Sequence, residues 1–233
     1  SLPELGEEGQ QKLKRAHIAL VGLGGLGSPA ALYLAAAGVG RLTLIDPDAV
    51  TLSNLQRQIL HATDSAGTAK TDSASCRLKA LNPAVEITTA TERLTPDNAL
   101  ALLEKCDLAV DASDNYAARF ALADACAALR IPLVHGAVKG FIGQATVFAP
   151  HEGTACYRCL FPEETPMLGA HAGIIGCIQA LEALKALAGI PSPLRGGLLS
   201  ADTLRMRFTV IPLHPSPTCK CRNGGGGGAA MKN

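Results

Sequence analysis

His17-Ile18-Ala19-Leu20-Val21-Gly22-Leu23-Gly24-Gly25-Leu26-Gly27-Ser28 decides the fold, because an apolar run of strand length here meets a cluster of glycines. The pattern G-x-G-x-x-G after such a run, followed by an Ala/Leu-rich segment, predicts a strand, a tight turn and a helix N-terminus. That geometry aims unpaired backbone N–H groups and the positive end of a helix dipole at one point, which suits a phosphate. Gly22 permits the sharp turn, Gly24 lets the backbone approach a diphosphate, and Gly27 lets the helix pack closely on the strand. Taken alone, the loop does not choose among nucleotides.

Working outward, Ser28 to Ala37 reads as the helix, closed by Gly38-Val39-Gly40, and Arg41-Leu42-Thr43-Leu44-Ile45-Asp46 reads as the second strand. An acid there, about twenty residues beyond the glycines, is placed to hold ribose hydroxyls. The other reading of Asp46 is a solvated turn residue beside Pro47-Asp48. Further on stand Ser53-Asn54-Leu55-Gln56-Arg57-Gln58 and a helix expected to open at Gly67-Thr68-Ala69-Lys70 and run to about Leu81. Arg57 and Lys70 are candidate phosphate cations, since a triphosphate carries more charge than backbone amides alone neutralise. Each also reads as an ordinary surface cation.

Strands are expected over Glu86 to Thr91 and Asp107 to Ala112, with a helix from Pro96 to Lys105 between them. The second of these strands ends in Asp111-Ala112-Ser113-Asp114-Asn115, at the carboxyl end of a parallel strand, where ligands bind. Asp114 there suits Mg²⁺ on nucleotide phosphates, or else Asp114 and Asn115 cap the helix through Arg119 to Leu129. Strands at Pro132 to Ala137 and Gly143 to Pro150 follow, with His135 read as a packed strand histidine. A helix from Gly173 to Gly189 and alternating strands at Leu198 to Leu204 and Arg205 to Leu213 complete the pattern.

The whole chain has 233 residues, 48% of them apolar, enough for an extensive core. With 21 Lys and Arg against 20 Asp and Glu, no bulk charge points to nucleic acid or an acidic membrane surface. No stretch approaches the roughly twenty apolar residues of a membrane span, and the opening residues do not resemble a secretion signal, so a cytoplasmic protein is the expectation. The eight cysteines then read as thiols or metal ligands. Cys156-Tyr157-Arg158-Cys159 and Cys219-Lys220-Cys221 together suggest a structural zinc, with unrelated free thiols as the alternative. Gly224 to Asn233 has the composition of a flexible linker.

From Leu2 to Arg222 the chain resembles the ThiF/MoeB/HesA family, bacterial relatives of ubiquitin-activating enzymes. The resemblance rests on Gly22 to Ser28, the strand end at Asp46, Ser53 to Gln58, Gly67 to Lys70, Ser113-Asp114-Asn115, Gly143-Gln144, Cys156 to Leu160 and Gln179 to Ala183, in that family's order. It implies a Rossmann-like, doubly wound α/β fold, mostly parallel and extended by antiparallel strands, with a small zinc site. The expected organisation is one adenylation domain over 1–222 and a Gly-rich tail over 223–233.

The function it implies is ATP-dependent adenylation of the C-terminal Gly-Gly carboxylate of a ubiquitin-like sulfur carrier protein, by a homodimer, in molybdopterin, thiamine or related sulfur transfer. Carried over by position, Gly22, Gly24, Gly25, Leu26 and Gly27 would face the α-phosphate region and Asp46 the ribose. Arg57 and Lys70 would bind the phosphates, Asp114 the Mg²⁺, and Asn54, Gln58 and Asn115 would line the same pocket. Cys156, Cys159, Cys219 and Cys221 would hold zinc. The connection between Cys159 and Gly173 is shorter than the family's crossover loop and lacks a cysteine; Cys177 falls in the next helix, where burial as a small apolar residue is expected. A nicotinamide-dependent oxidoreductase on the same fold, and a carrier-binding scaffold without catalysis, are the competing readings.

Overall fold

The computed structural model describes residues 3–161, 172–219 and 221; the tail 223–233 and residues 162–171 of the connection after Cys159 lie outside the described residues. The elements are α1 (Gly6–Arg15), β1 (His17–Val21), α2 (Gly27–Ala36), β2 (Arg41–Ile45), α3 (Lys70–Leu81), β3 (Glu86–Ala90), α4 (Ala99–Leu103), β4 (Leu108–Asp111), α5 (Tyr116–Leu129), β5 (Leu133–Lys139), β6 (Ile142–Phe148), α6 (Tyr157–Leu160), α7 (Ala172–Ala188), β7 (Gly197–Asp202) and β8 (Arg207–Pro212).

The strands form one sheet in the order β3-β2-β1-β4-β5-β6-β7-β8. The first five are parallel and the last three extend the sheet antiparallel, as the resemblance implies. β1 is buried along its whole length, as a central strand covered on both faces must be. Its alternation sorts the core: Ile18 and Leu20 pack with α2, α3 and α7 on one face, and Ala19 and Val21 with α4 and α5 on the other.

The Asn115 side chain accepts from Ala118 N at 2.9 Å, so it caps α5, one of the two roles that the sequence left open for it. Two elements differ from expectation, each for a local reason. The helix expected from Pro96 shrinks to Ala99–Leu103, because Asn98 accepts from Thr95 N and donates to Glu92 and Arg93, holding a turn that competes with helix. In the last hairpin Met206 sits at φ 51 and Asp202 accepts from Arg205 N, which sets a turn over 203–206, so the two strands expected to meet at Leu204 and Arg205 end at Asp202 and begin at Arg207. Cys177 is half-buried on α7, less enclosed than a core thiol.

His135 is a packed strand histidine, as expected, and it belongs to a buried polar group at the end of β4. Its Nδ1 lies 2.7 Å from the Asp111 carboxylate, and both side chains are fully buried. Ser113 donates to the same carboxylate through N and Oγ, and the Arg119 guanidinium lies 4.0 Å away and donates to Ser113 O. Gln179, in the middle of apolar α7, donates to the backbone carbonyls of Asp111 and Val134 and keys that helix to the strand ends.

Burial pushes the Asp111 acid up, but the His135 hydrogen bond, with Arg119 and Ser113, leaves it below the usual carboxylate value. Burial holds His135 below the ordinary imidazole value, against the pull of Asp111, and burial likewise lowers His17 and His61. All four groups therefore act in one direction. On acidification the unfolded chain takes up protons that these histidines refuse, so their contribution is full above pH 6.5 and is lost as pH falls below it. The Asp111 contribution persists lower and is lost only as pH falls through its depressed value. Urea midpoints should thus be lower at pH 5.5 than at pH 7.5, and Asp111→Asn should cost about 3 kcal/mol at neutral pH by leaving Arg119 buried without its counter-charge.

Candidate nucleotide site and thiol cluster

In this strand order the chain leaves β1 for β2 on one side and later for β4 on the other, so a crevice opens at the carboxyl ends of β1 and β4. The glycine loop sits in it. Gly22 has φ 92, a conformation that side-chain-bearing residues resist. A Cβ on Gly27 would lie 1.9 Å from Gly22 O, so only glycine lets α2 start this close to the strand end. α2 begins without a side-chain cap, and among the described residues the N–H groups of Gly24, Gly25 and Leu26 meet no acceptor. This is the uncapped, donor-rich helix end that the sequence predicts.

Asp46 is no solvated turn residue: it is 4% exposed. One carboxylate oxygen accepts from Leu23 N at 2.7 Å and the other from Asp48 N at 2.9 Å, which leaves lone pairs on both for a further donor. Lys70 is no surface cation either, at 4% exposure. Its ammonium lies 2.8 Å from Asp48 and 3.8 Å from Asp46, so it neutralises two carboxylates beneath the loop. Arg57 is half-buried and donates to Asn54 Oδ1 at 3.3 Å. Gln58 is buried, with an Oε1 that has no partner among the described residues. Asn115 serves as the α5 cap, which leaves Asp114 exposed beside it.

These residues share one cavity of about 760 Å³, lined by Gly22, Gly24, Gly25, Leu26, Asp46, Arg57, Gln58, Lys70, Asp114 and Asn115. Gly27 and Asn54 do not form part of that wall. Sequence reasoning missed three contributors. Asp48 shows in the sequence only as a turn acid, and no spacing rule says that it reaches Lys70. Arg119 lines the cavity while anchored to Ser113 O. His61 is buried behind the loop, with Nε2 3.0 Å from Leu23 O and Nδ1 2.9 Å from Ser73 Oγ.

Cys156, Cys219 and Cys221 have sulfurs within 4.8 Å of one another. Cys159 Sγ and Cys219 Sγ each lie 3.6 Å from Cys156 Sγ. Ligand sulfurs around a tetrahedral zinc, with Zn–S of about 2.3 Å, stand about 3.8 Å apart, so the thiols of Cys156, Cys219 and Cys221 suit such an ion, with Cys159 beside Cys156. Ser216 N donates to Cys159 Sγ at 3.4 Å, the kind of outer hydrogen bond that steadies a thiolate ligand. Tyr157, between the first two cysteines, packs edge-on against His135 and Phe120, so the cluster is fastened to the core below the β4 end.

A doubly wound sheet with a glycine turn, a buried acid after the second strand and a cation-bearing crevice defines a protein of the Rossmann fold class. The chain belongs to the ThiF family, whose model matches residues 1–223. It is 44% identical over 235 residues to a sulfur carrier protein adenylyltransferase of Thermus thermophilus, a match covering 94% of this chain and 86% of that protein. It is 44% identical over 236 residues to the SAMP-activating enzyme E1 of Haloferax volcanii, with 96% and 87% covered. With the adenylyltransferase and sulfurtransferase MOCS3-1 of Zea mays it shares 45% over 230 residues, 94% of this chain but 49% of that protein. The chain spans about half the length of the MOCS3 relatives it matches. Among solved structures, E. coli MccB with ATP superposes with a TM-score of 0.80 at 22% identity, over 92% of this chain and 68% of that one, a likeness of fold.

The close approach at the loop gives a direct test. Gly27→Ala forces a methyl onto the Gly22 carbonyl, so it should lower stability by about 1–3 kcal/mol in denaturant unfolding.

Proposed function

We propose that this chain activates the C-terminal carboxylate of a small ubiquitin-like sulfur carrier protein ending in Gly-Gly, using MgATP to form an acyl-adenylate. The observation that carries the reading is the single cavity in which the glycine loop, Asp46, Arg57, Lys70 and Asp114 meet. A nicotinamide cofactor would use the loop and Asp46 but gives no reason for two further cations. The names of the Thermus and Haloferax relatives support the carrier as substrate.

The carrier carboxylate attacks the α-phosphorus of ATP, the bond from that phosphorus to the bridging oxygen breaks, and pyrophosphate leaves. No protein nucleophile is needed, because the attacking group is already an anion. The barrier is charge crowding. Uncapped amides of Gly24 and Gly25 face the phosphates, Asp46 holds the ribose hydroxyls, and Arg57 reaches the phosphate chain from its half-buried position. Asp114, exposed at the mouth, would hold the Mg²⁺ that accompanies the nucleotide. Lys70 lies nearest the acids, so its charge serves both to hold Asp46 and Asp48 in place and to offset the phosphates.

Zinc in the four-thiol cluster, a homodimer and a cytoplasmic location complete the proposal. The spacing of the sulfurs supports the first, and the family resemblance supports the dimer. Among the described residues no helix is long and apolar enough to cross a membrane.

Carrier-dependent exchange of labelled pyrophosphate into ATP tests the reaction. Asp114→Ala and Arg57→Ala should lower exchange by at least 100-fold with the unfolding midpoint little changed, since neither side chain is fully buried. Lys70→Ala should lose exchange and also stability, because it leaves Asp46 without its cation. Thermal stabilisation by NADH and none by MgATP would remove the reading. Metal analysis should find about one zinc per chain, lost in Cys219→Ser.

A further inference from the structure

We propose that His61 is a positioning residue that holds the Leu23–Gly24 peptide so that Gly24 N–H points into the nucleotide cavity. The inference rests on the nucleotide reading above and adds a residue that does not line the cavity.

Leu23 is held from both sides. Its N–H donates to Asp46 Oδ2 at 2.7 Å, and its carbonyl lies 3.0 Å from His61 Nε2. A peptide unit is planar and trans, so its C=O and N–H point in opposite directions. Fixing Leu23 O on His61 therefore sends Gly24 N–H the other way, toward the cavity that Gly24 lines. Among the described residues that N–H has no acceptor.

The lock matters because this peptide is easy to flip. Gly24 carries no side chain, and a half-turn of the peptide that brings its φ positive costs glycine little. The flipped loop would present the Leu23 carbonyl oxygen where phosphate must sit, replacing a donor by an acceptor. The Leu23 side chain is fully buried and cannot follow, so the choice falls on the peptide plane alone. A donor on Leu23 O is what makes one of the two orientations the stable one.

His61 is equipped for the task. Burial keeps the imidazole below its ordinary pKa, with Leu23 O pulling up, Lys70 down and Asp46 up. A neutral ring has one N–H and one acceptor nitrogen. Leu23 O can only accept, so the ring proton faces it on Nε2, and Nδ1 is left to accept from Ser73 Oγ at 2.9 Å, a hydroxyl that also lies 3.2 Å from Ser65 Oγ. Asp46 and His61 thus fix successive peptides of the same residue.

The test compares two amides. Gln places its side-chain nitrogen as many bonds from Cβ as His Nε2, whereas Asn places its nitrogen where Nδ1 lies. His61→Gln should keep the donor on Leu23 O and His61→Asn should lose it. Dissociation constants for MgATP by calorimetry, with unliganded thermal midpoints, are the readouts. His61→Asn should weaken MgATP about tenfold or more while His61→Gln stays within about threefold of wild type, at similar midpoints. Equal affinity in both variants and wild type, or equal loss in both, overturns the role of His61 and leaves the nucleotide reading standing. Wild-type protein that does not bind MgATP overturns both. Imidazole nitrogen NMR of the wild-type protein decides the matter even if neither variant folds: His61 should carry its proton on Nε2, and a proton on Nδ1 alone overturns the proposal.

Discussion

The crossing of Gly27 over the carbonyl of Gly22 sets the distance on which the crevice depends. A methyl at Gly27 would stand 1.9 Å from that oxygen, so α2 starts a full side chain closer to β1 than other residues allow. From the outer side α7 presses on the same turn, where a Cβ on Gly176 would lie 2.2 Å from Leu26 O. Between these two contacts the loop has little room to move as a body. Its remaining freedom is rotation of single peptide planes, and the buried partners of Leu23 act on that.

Charge is arranged around the loop in two tiers. The inner tier pairs the buried ammonium of Lys70 with the buried carboxylate of Asp46 and the exposed one of Asp48, and its order is structural before any phosphate arrives. The outer tier, Arg57 and Asp114, is less tied down and stands nearer solvent. A second buried group, Asp111 with His135, Arg119 and Ser113, carries the strand end from which Asp114 projects. The cavity wall is therefore tied into polar networks: Asp46, Asp48, Lys70, Ser113 and Arg119 line it, and Asp111 and His135 stand behind it, which keeps the wall's polar groups oriented.

The parallel half was legible because its strands are short apolar runs separated by helical patterns and glycine stops, and burial on both faces leaves that signature strong. Helix ends were mixed: Asn115 was legible as a cap of α5, whereas Asn98 shortens α4 through side-chain hydrogen bonds that no periodicity records. In the site, Gly22 to Gly27, Asp46, Arg57, Gln58, Lys70, Asp114 and Asn115 were all singled out from the chain and all face or flank one cavity. What escaped were Asp48, His61 and Arg119. Asp48 and His61 work through residues far away in sequence, Arg119 through Ser113 six positions back, and a lone His, Asp or Arg carries no spacing that betrays its partner. The sulfurs were legible as two pairs, but their convergence depends on β7 and β8 returning the chain across the sheet.

That return has a consequence for how the molecule comes apart. Cys156 and Cys219 are 63 positions apart, and a metal joining them would close a loop whose ends otherwise wander freely; chain-entropy reasoning puts the restraint at about 4 kcal/mol. The strand inside that loop farthest from the core, β8, is exposed at all six positions and has β7 as its one partner in the sheet. Its attachment thus owes less to apolar packing than to the knot of thiols just beyond it. β8 would fray first once the knot is undone, while β6 and β7, whose Ala145, Val147, Leu199 and Ala201 share one core with the parallel strands, stay folded.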